Sequence, residues 1–525
     1  MVSAGEVTHG EVRELSQRLP SAKLRTLPPI VEQLEQCGEA ALPLLQAMLK
    51  GDLWVRRSDK LIVIAERGKG AEFTLVDAVS GVQLPSVTKK KIKKIVINNR
   101  LRVQLRDMIA RVTLASEDPV IRESAVRNML NKMSADNVAL LAKARLTEND
   151  RQVLAVIDLS LAVYALNHST DRSLRLNALD VIDGSLEPVV ANALSAVLAA
   201  DSSGVDLEKD ADVRLKAQQA FSKIQRRIDF YELLEQIFYG LSLGSVLLLI
   251  ATGLAITFGV MGVINMAHGE LIMIGAYCAY MVQLLMPNSI EYSILLAIPC
   301  AFVVSGSVGI LIQRCVIRHL HGRPLETLLA TFGISLILQQ AVRSIFSPLN
   351  RQVISPSWLS GSLEINPIFS LTYNRLYILV FALIVFSVLQ LVLKRTSLGL
   401  HVRAVSQNRG MAKAIGIRTE RVDALTFGLG SGIAGIAGVA LSQLTNVGPN
   451  LGQAYIIDSF MVVVFGGVGN LWGTLVGGFS LGIANKFLEP TTGAVLANII
   501  VLVGIILFIQ KRPSGLFPQK GRAAE

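Results

Sequence analysis

Between Ile237 and Gln510 the chain strings together apolar runs, most of them roughly 15 to 23 residues long. They lie near 237–258, 269–286, 291–313, 325–343, 375–393, 424–444, 456–468, 471–487 and 494–509. About 20 apolar residues in a helix cross the hydrocarbon core of a bilayer. In lipid every backbone N–H and C=O must be paired within the protein, and a helix does this within one segment. Residues 231–525 therefore predict a polytopic α-helical membrane domain of about 8–9 spans. The seventh and eighth runs are short and joined by GGVGNLWG, which reads as a re-entrant or broken hairpin. Such irregular backbone survives at membrane depth only when buried in protein or lining a cavity.

Residues 1–230 are different, mixing Lys, Arg, Asp and Glu freely, and predict a soluble, largely helical domain with a small β region. IVEQLEQCGEAALPLLQAMLKG reads as helix, and the alternating, β-branched stretches from about Leu53 to Leu101 read as strands. The spacing D-x-x-x-R-x-x-A then occurs at Asp118/Arg122/Ala125, Asp171/Arg175/Ala178 and Asp210/Arg214/Ala217, each time opening an amphipathic segment. This resembles the second half of a HEAT-type helical repeat, with the Asp capping the helix start and the Ala admitting a close neighbour. The unequal intervals also fit ordinary amphipathic helices. His9 and His168 lack metal-ligand spacing, no catalytic constellation is present, and a docking or scaffolding role is expected.

Only 17% of the residues are charged, against about 25% in soluble proteins. The net charge of +11 does not point to nucleic acid, because the cations are dispersed or flank apolar runs without zinc-finger or aromatic RNA-binding signatures. It points to loops at a membrane surface. Arg314, Arg318 and Arg323 follow the third run, seven cations from Lys394 to Arg421 follow the fifth, and Lys511, Arg512, Lys520 and Arg522 form the tail. These segments should be cytoplasmic, and the cation-poor connections around Pro287, Gly448 and Pro490 should lie opposite. Counting back places the N-terminal domain outside, in the periplasm of a bacterial inner-membrane protein. Lys223, Arg226 and Arg227 oppose that count, and Met1-Val2-Ser3 opens no secretory leader, so the start reads as that of a processed form. Of the four cysteines only Cys37 lies in the soluble part, which rules out a disulfide within it.

Gly430-Ser431-Gly432-Ile433-Ala434-Gly435 matches the dinucleotide-binding G-x-G-x-x-G, but it sits inside an apolar run rather than after a strand, and reads as a close-packing helix face. No G-x-x-x-x-G-K-[ST] loop, nucleophile–base pair or metal cluster occurs, so the chain is expected to be no enzyme and to hold no cofactor. ATP-driven transport would need ATP and Mg on a separate ATPase subunit. The loop RTSLGLHVRAVSQNRGMAKAIGIRTERV, about 394–421, predicts a short basic helix bounded by Gly410 and Gly416, suited to press on a cytoplasmic partner.

GLAITFGVMGVINMAHGELIMIGAY, RPLETLLATFGISLILQQ, that basic loop and VVVFGGVGNLWGTLVGG resemble the branched-chain amino-acid permease family of ABC importers. Within the family, DALTFGLGSGIAGIAGVALSQ and the ending KFLEPTTGAVLANIIVLVGIILFIQKRPSGLFPQKGR are similar to the urea-importing members, which the long N-terminal extension also suits. The resemblance covers roughly residues 235–522. It implies a second homologous permease, two cytoplasmic ATPase subunits and a periplasmic urea-binding protein. It also implies ATPase coupling through Arg403, Asn408, Arg409, Lys413 and Gly416.

Asn265 and His268 share a face at a break expected between the first two spans, while Glu270 is expected to point elsewhere, at the cytoplasmic rim. Asn265 also fits a plain helix N-cap. Intramembrane polar groups must face protein or water. Together with Gln339, Gln340, Asn446 and Asp458, with Asp458 opening the re-entrant segment, Asn265 and His268 are the expected lining of a path. Urea offers four N–H donors and one carbonyl, which such groups match. Branched-chain amino acids or short amides are alternative cargoes, and a stand-alone channel or secondary transporter is the alternative of another class.

Overall fold

The computed structural model describes residues 4–21, 27–67, 72–95, 97–131, 133–200, 208–320 and 322–518. The chain divides into two compact units, Met1–Arg227 and Ile228–Glu525.

The first unit begins with helices α1 (Ala4–Arg18), α2 (Leu27–Gln36) and α3 (Leu42–Lys50), which bury Val12, Val31, Leu34, Leu44 and Leu45 together. Gly51 at φ +80° ends α3 in a left-handed conformation that suits glycine. An antiparallel sheet follows, formed by β1 (Leu53–Arg56), β2 (Ile62–Arg67), β3 (Glu72–Asp77), β4 (Gln83–Thr88) and β5 (Ile92–Lys94) in the order β4-β3-β2-β1-β5. The strands fall in the stretch where alternation and β-branching placed them. Helices α4 (Asn99–Leu114), α5 (Pro119–Leu130), α6 (Ala135–Arg145), α7 (Arg151–His168), α8 (Arg172–Ile182) and α9 (Pro188–Val197) then stack, with α7 packed on α5, α6, α8 and α9. Helix α10 (Ala211–Met261) starts in this unit and ends in the second.

The three repeated aspartates act alike. Asp118 accepts the Val120 N–H at 2.9 Å, Asp171 the Ser173 N–H at 2.8 Å, and Asp210 the Asp212 N–H at 3.0 Å. Ala125, Ala178 and Ala217 are all buried. The arginine between them reaches forward: Arg122 clasps Glu148 through two bonds of 2.7 and 2.8 Å, and Arg175 bonds Glu208. Each glutamate stands two residues before the aspartate that opens a later helix, and accepts that aspartate's N–H, at 2.9 Å for Glu148 and 3.0 Å for Glu208. The Arg122 guanidinium, helped by the N–H groups of Asp150 and Asn149, holds the Glu148 carboxyl down at about 2.

The second unit holds the end of α10 with α11 (His268–Leu285), α12 (Ile290–Cys315), α13 (Pro324–Phe346), a hairpin of β6 (Ser362–Glu364) and β7 (Ser370–Thr372), α14 (Tyr373–Arg395), α15 (Ser397–Gln407), α16 (Arg409–Ala414), α17 (Thr419–Ser442), α18 (Gln453–Gly466), α19 (Leu471–Thr492) and α20 (Ala494–Lys511). Among the described residues, six of these helices are long and apolar enough to cross a membrane: α10, α12, α13, α14, α17 and α20. Helices α11 and α19 complete the bundle with 18 and 22 residues. The hairpin arms differ from expectation in length. Helix α18, with 14 residues, is the short arm, while α19 runs on through Pro490 to Thr492.

Helix α17 is the axis of the bundle, packed on α11 and α12. The glycine-rich segment that mimics a nucleotide loop is its contact face. A Cβ at Gly430 would meet the Gly253 backbone of α10, one at Gly435 would meet Ala301 and Ser305 of α12, and one at Gly438 would meet the Ile272 backbone of α11. From the other side, Gly275 of α11 faces the Gly435 backbone. Small residues here let helix backbones touch, which gives van der Waals packing where lipid supplies no hydrophobic drive.

Candidate substrate path and partner-facing loop

Helix α10 stops at Met261, Gly262 turns the chain at φ +65°, and α11 restarts at His268. The Asn265 side-chain oxygen accepts the Ala267 N–H at 3.0 Å, closing a turn ahead of the helix rather than capping it. His268 is fully buried, with Nε2 3.1 Å from the Ile250 carbonyl of α10. A carbonyl only accepts, so Nε2 carries the hydrogen, and Nδ1 is left as a buried acceptor without a partner among the described residues.

Glu270 corrects the expectation. It is not at a rim but is completely buried, 0% exposed, because α13 lays a polar stripe along the first turn of α11. Ser335 donates its hydroxyl to Glu270 Oε1 at 2.9 Å, and the Gln339 amide donates to the same oxygen at 2.7 Å. Thr331 Oγ1 accepts the Met266 N–H at 3.2 Å. Among the described residues Glu270 Oε2 has no hydrogen-bond partner. The buried residues of α13 are Thr327, Thr331, Ser335, Gln339 and Val342, so a largely exposed helix turns an almost wholly polar seam inward. One turn beyond Gln339, Arg343 donates to Asn450 at 2.9 Å.

The expected path residues thus separate. Asn265, His268 and Gln339 are buried at or beside the α10–α11 break. Gln340 is exposed, about 100° round α13 from its buried neighbour. Asn446 is exposed and lines a cavity of about 490 Å³ with Arg343, Asn350 and Asn450. Asp458 is half-buried in the second turn of α18, which starts at Gln453, so it does not open that helix. Sequence reasoning missed Glu270 and the Thr327–Thr331–Ser335–Gln339 stripe. The signal was a polar residue at every fourth position of an otherwise apolar helix.

The loop residues also sort by task. Asn408 caps α16, accepting the Met411 N–H at 2.9 Å, and Gly416 at φ +91° ends it. Arg403 turns back to the Leu393 carbonyl near the end of α14. Arg409 reaches inward to Asp423 at the start of α17, with one bond of 3.2 Å and a second, shorter one. Lys413 remains exposed, flanked by Met411 and Ile415, which are 61% and 69% exposed. Apolar side chains standing free beside a cation make a surface suited to burial against another protein.

Residues 236–510 match the family described as branched-chain amino acid transport system, permease component. The chain belongs to this family. It is 31% identical over 299 residues to the high-affinity branched-chain amino acid transport system permease protein BraD of Pseudomonas aeruginosa, covering 96% of that protein with 55% of this chain. It is 32% identical over 298 residues to LivH of Escherichia coli, described in the same words, with the same coverage. A shorter stretch of 113 residues is 29% identical to the ribose import permease protein RbsC of Haemophilus influenzae, spanning 35% of that protein and 20% of this chain. No solved structure shows significant similarity to the chain. As an ABC-type permease of the branched-chain amino acid transport family, the second unit is a multi-pass inner-membrane protein whose relatives are transport permease subunits. The first unit lies outside the matched residues.

Proposed function

We propose that the chain is one of two homologous permeases in an ATP-driven importer that passes urea into the cell. A periplasmic binding protein delivers the urea, and two cytoplasmic ATPase subunits docked on α16 drive the cycle with ATP and Mg. The observation that carries this reading is the buried Glu270–Ser335–Gln339 cluster, whose unpaired Oε2 is an acceptor for an N–H. Hydroxyls and a side-chain amide flank it on α13. A small neutral amide supplies N–H groups to the carboxylate, so it replaces water in such a seam without an unpaired charge. Asn265 and His268 at the break extend the lining, and Gln340, Asn446 and Asp458 would serve it from the exposed side, the outer cavity and α18.

The urea-importing members also fit the resemblance drawn from the sequence and the extra N-terminal unit, which would stand in the periplasm. BraD and LivH are almost fully covered by about half of this chain, which leaves them no segment of that size. Branched-chain amino acids are the second reading, favoured by those relatives and by Arg343 one turn beyond Gln339, which offers a cation for a carboxylate.

The test is reconstitution with the neighbouring permease and ATPase subunits in vesicles, measuring uptake of labelled urea and labelled leucine with and without ATP and the binding protein. Urea uptake that needs both supports the proposal, and leucine uptake in its place supports the second reading. Urea flux through this chain alone, indifferent to ATP, means a channel and overturns both.

A further inference from the structure

Asp423 stands in the second turn of α17, its side chain 4% exposed, and Arg409 from the adjoining short helix α16 grips it with two bonds. A buried carboxylate is tolerated when a cation satisfies it, and losing that partner strands the charge. Helix α16 cannot move away from α17 without breaking the pair. Around it an apolar cluster of Val402, Val405, Ala412 and Val422 is joined by the partly buried Val260, Leu398, Ala404 and Ile417. The surface that presents Met411, Lys413 and Ile415 is therefore tied to the bundle axis by this polar clamp as well as by apolar packing. Beneath the clamp is a cavity of about 360 Å³, lined by Met261, Gln313, Arg318, Arg409, Lys413 and Asp423 among others. Gln313 of α12 is buried there with its carbonyl oxygen unpartnered, an acceptor that stands ready if the guanidinium shifts.

We infer that the Arg409–Asp423 ion pair is the link by which movement of α16 reaches the transport path. This rests on the importer reading above. Helix α17 touches α11 backbone to backbone, through Gly435 at Gly275 and Gly438 at Ile272. Close-packed helices with no side chain between them transmit strain from one to the other. A pull on Asp423 is thereby delivered to α11, which carries Glu270. Arg409 and Asp423 are positioning residues: they touch no cargo and act through α17.

The test uses the full complex in vesicles, reading ATPase co-purification, ATP hydrolysis with and without loaded binding protein, and uptake of labelled urea and labelled leucine together. Asp423→Asn is expected to assemble with the ATPases as wild type does. It is expected to lose about tenfold in both binding-protein stimulation of hydrolysis and uptake, leaving basal hydrolysis in place. Arg409→Lys keeps the charge but not the two-pronged grip, and should show the same loss in smaller measure. If Asp423→Asn does not reach the membrane, Arg409→Lys carries the test. The exchange R409D/D423R is expected to restore part of the stimulation. Wild-type stimulation in both single variants overturns the inference, and so does loss of the ATPases, since the pair would then merely hold the docking surface. A wild-type complex with no ATP-dependent uptake of either solute overturns the importer reading and the inference with it.

Discussion

Gln339 of α13 donates its amide hydrogen to Glu270 of α11 at 2.7 Å, joining two helices of the bundle through a side chain whose next neighbour in sequence, Gln340, is exposed. The two glutamines therefore form a controlled comparison. Gln339→Leu removes a charge-assisted bond of about 1.5–3 kcal/mol and leaves Glu270 with Ser335 as its remaining donor. Uptake of labelled urea should fall about tenfold or more at unchanged membrane abundance. Gln340→Leu should transport as wild type. Equal losses in both variants would remove the cluster from the path.

The clasp of Arg122 on Glu148 predicts an acid-sensitive first unit. The carboxyl titrates near 2 in the folded chain, against 4.5 for the free group. An acid whose folded value is depressed stabilises fully above its unfolded value, and that contribution fades as pH falls through the folded one. Hydrogen-exchange protection in α5 and α7 should therefore decline between about pH 4.5 and 2. Glu148→Gln should start lower and show a flatter decline over the same window. An identical pH profile in that variant would assign the acid response elsewhere.

Glycine positions separate by what surrounds them. A side chain at Gly275 would run into the Gly435 backbone, whereas nothing stands within 4 Å of one at Gly504 of α20. Gly275→Val should cost about 3 kcal/mol or more, by analogy with overpacked cores, and deplete the chain from membranes. Gly504→Ala should accumulate normally. Immunoblots of membrane fractions distinguish the two outcomes.

On the loop, Ile415→Glu places a charge on a free apolar side chain that makes no use of the chain's own packing. Co-purification of the ATPase subunits should drop severalfold while membrane abundance holds, since truncating or charging an interface anchor commonly costs about 1–2 kcal/mol or more. Undiminished co-purification would place the docking surface away from α16.

Much of this was legible in the sequence because hydrophobic length speaks directly. The apolar runs became α10 to α14 and α17 to α20, and the repeated aspartates became caps, since each signal is local. Glu270 was misread because its burial depends on α13, 65 residues away at Ser335, and nothing in MAHGEL announces that neighbour. Arg409 likewise looked like a cation offered to a partner. Only the fold reveals that Asp423 takes it inward, because helix period fixes neighbours along one element and not across two.

The four-residue spacing of the seam on α13 has a consequence for how the helix meets its surroundings. Four residues advance about 6 Å along a helix and overshoot a full turn by about 40°, so the seam winds around α13 instead of running straight. This is why Thr331, Ser335 and Gln339 meet the start of α11 while Arg343 has already swung round to Asn450. Bringing the next rung opposite Glu270 takes a corkscrew displacement, a turn and an advance together, and a simple tilt or slide of α13 would leave the carboxylate between rungs.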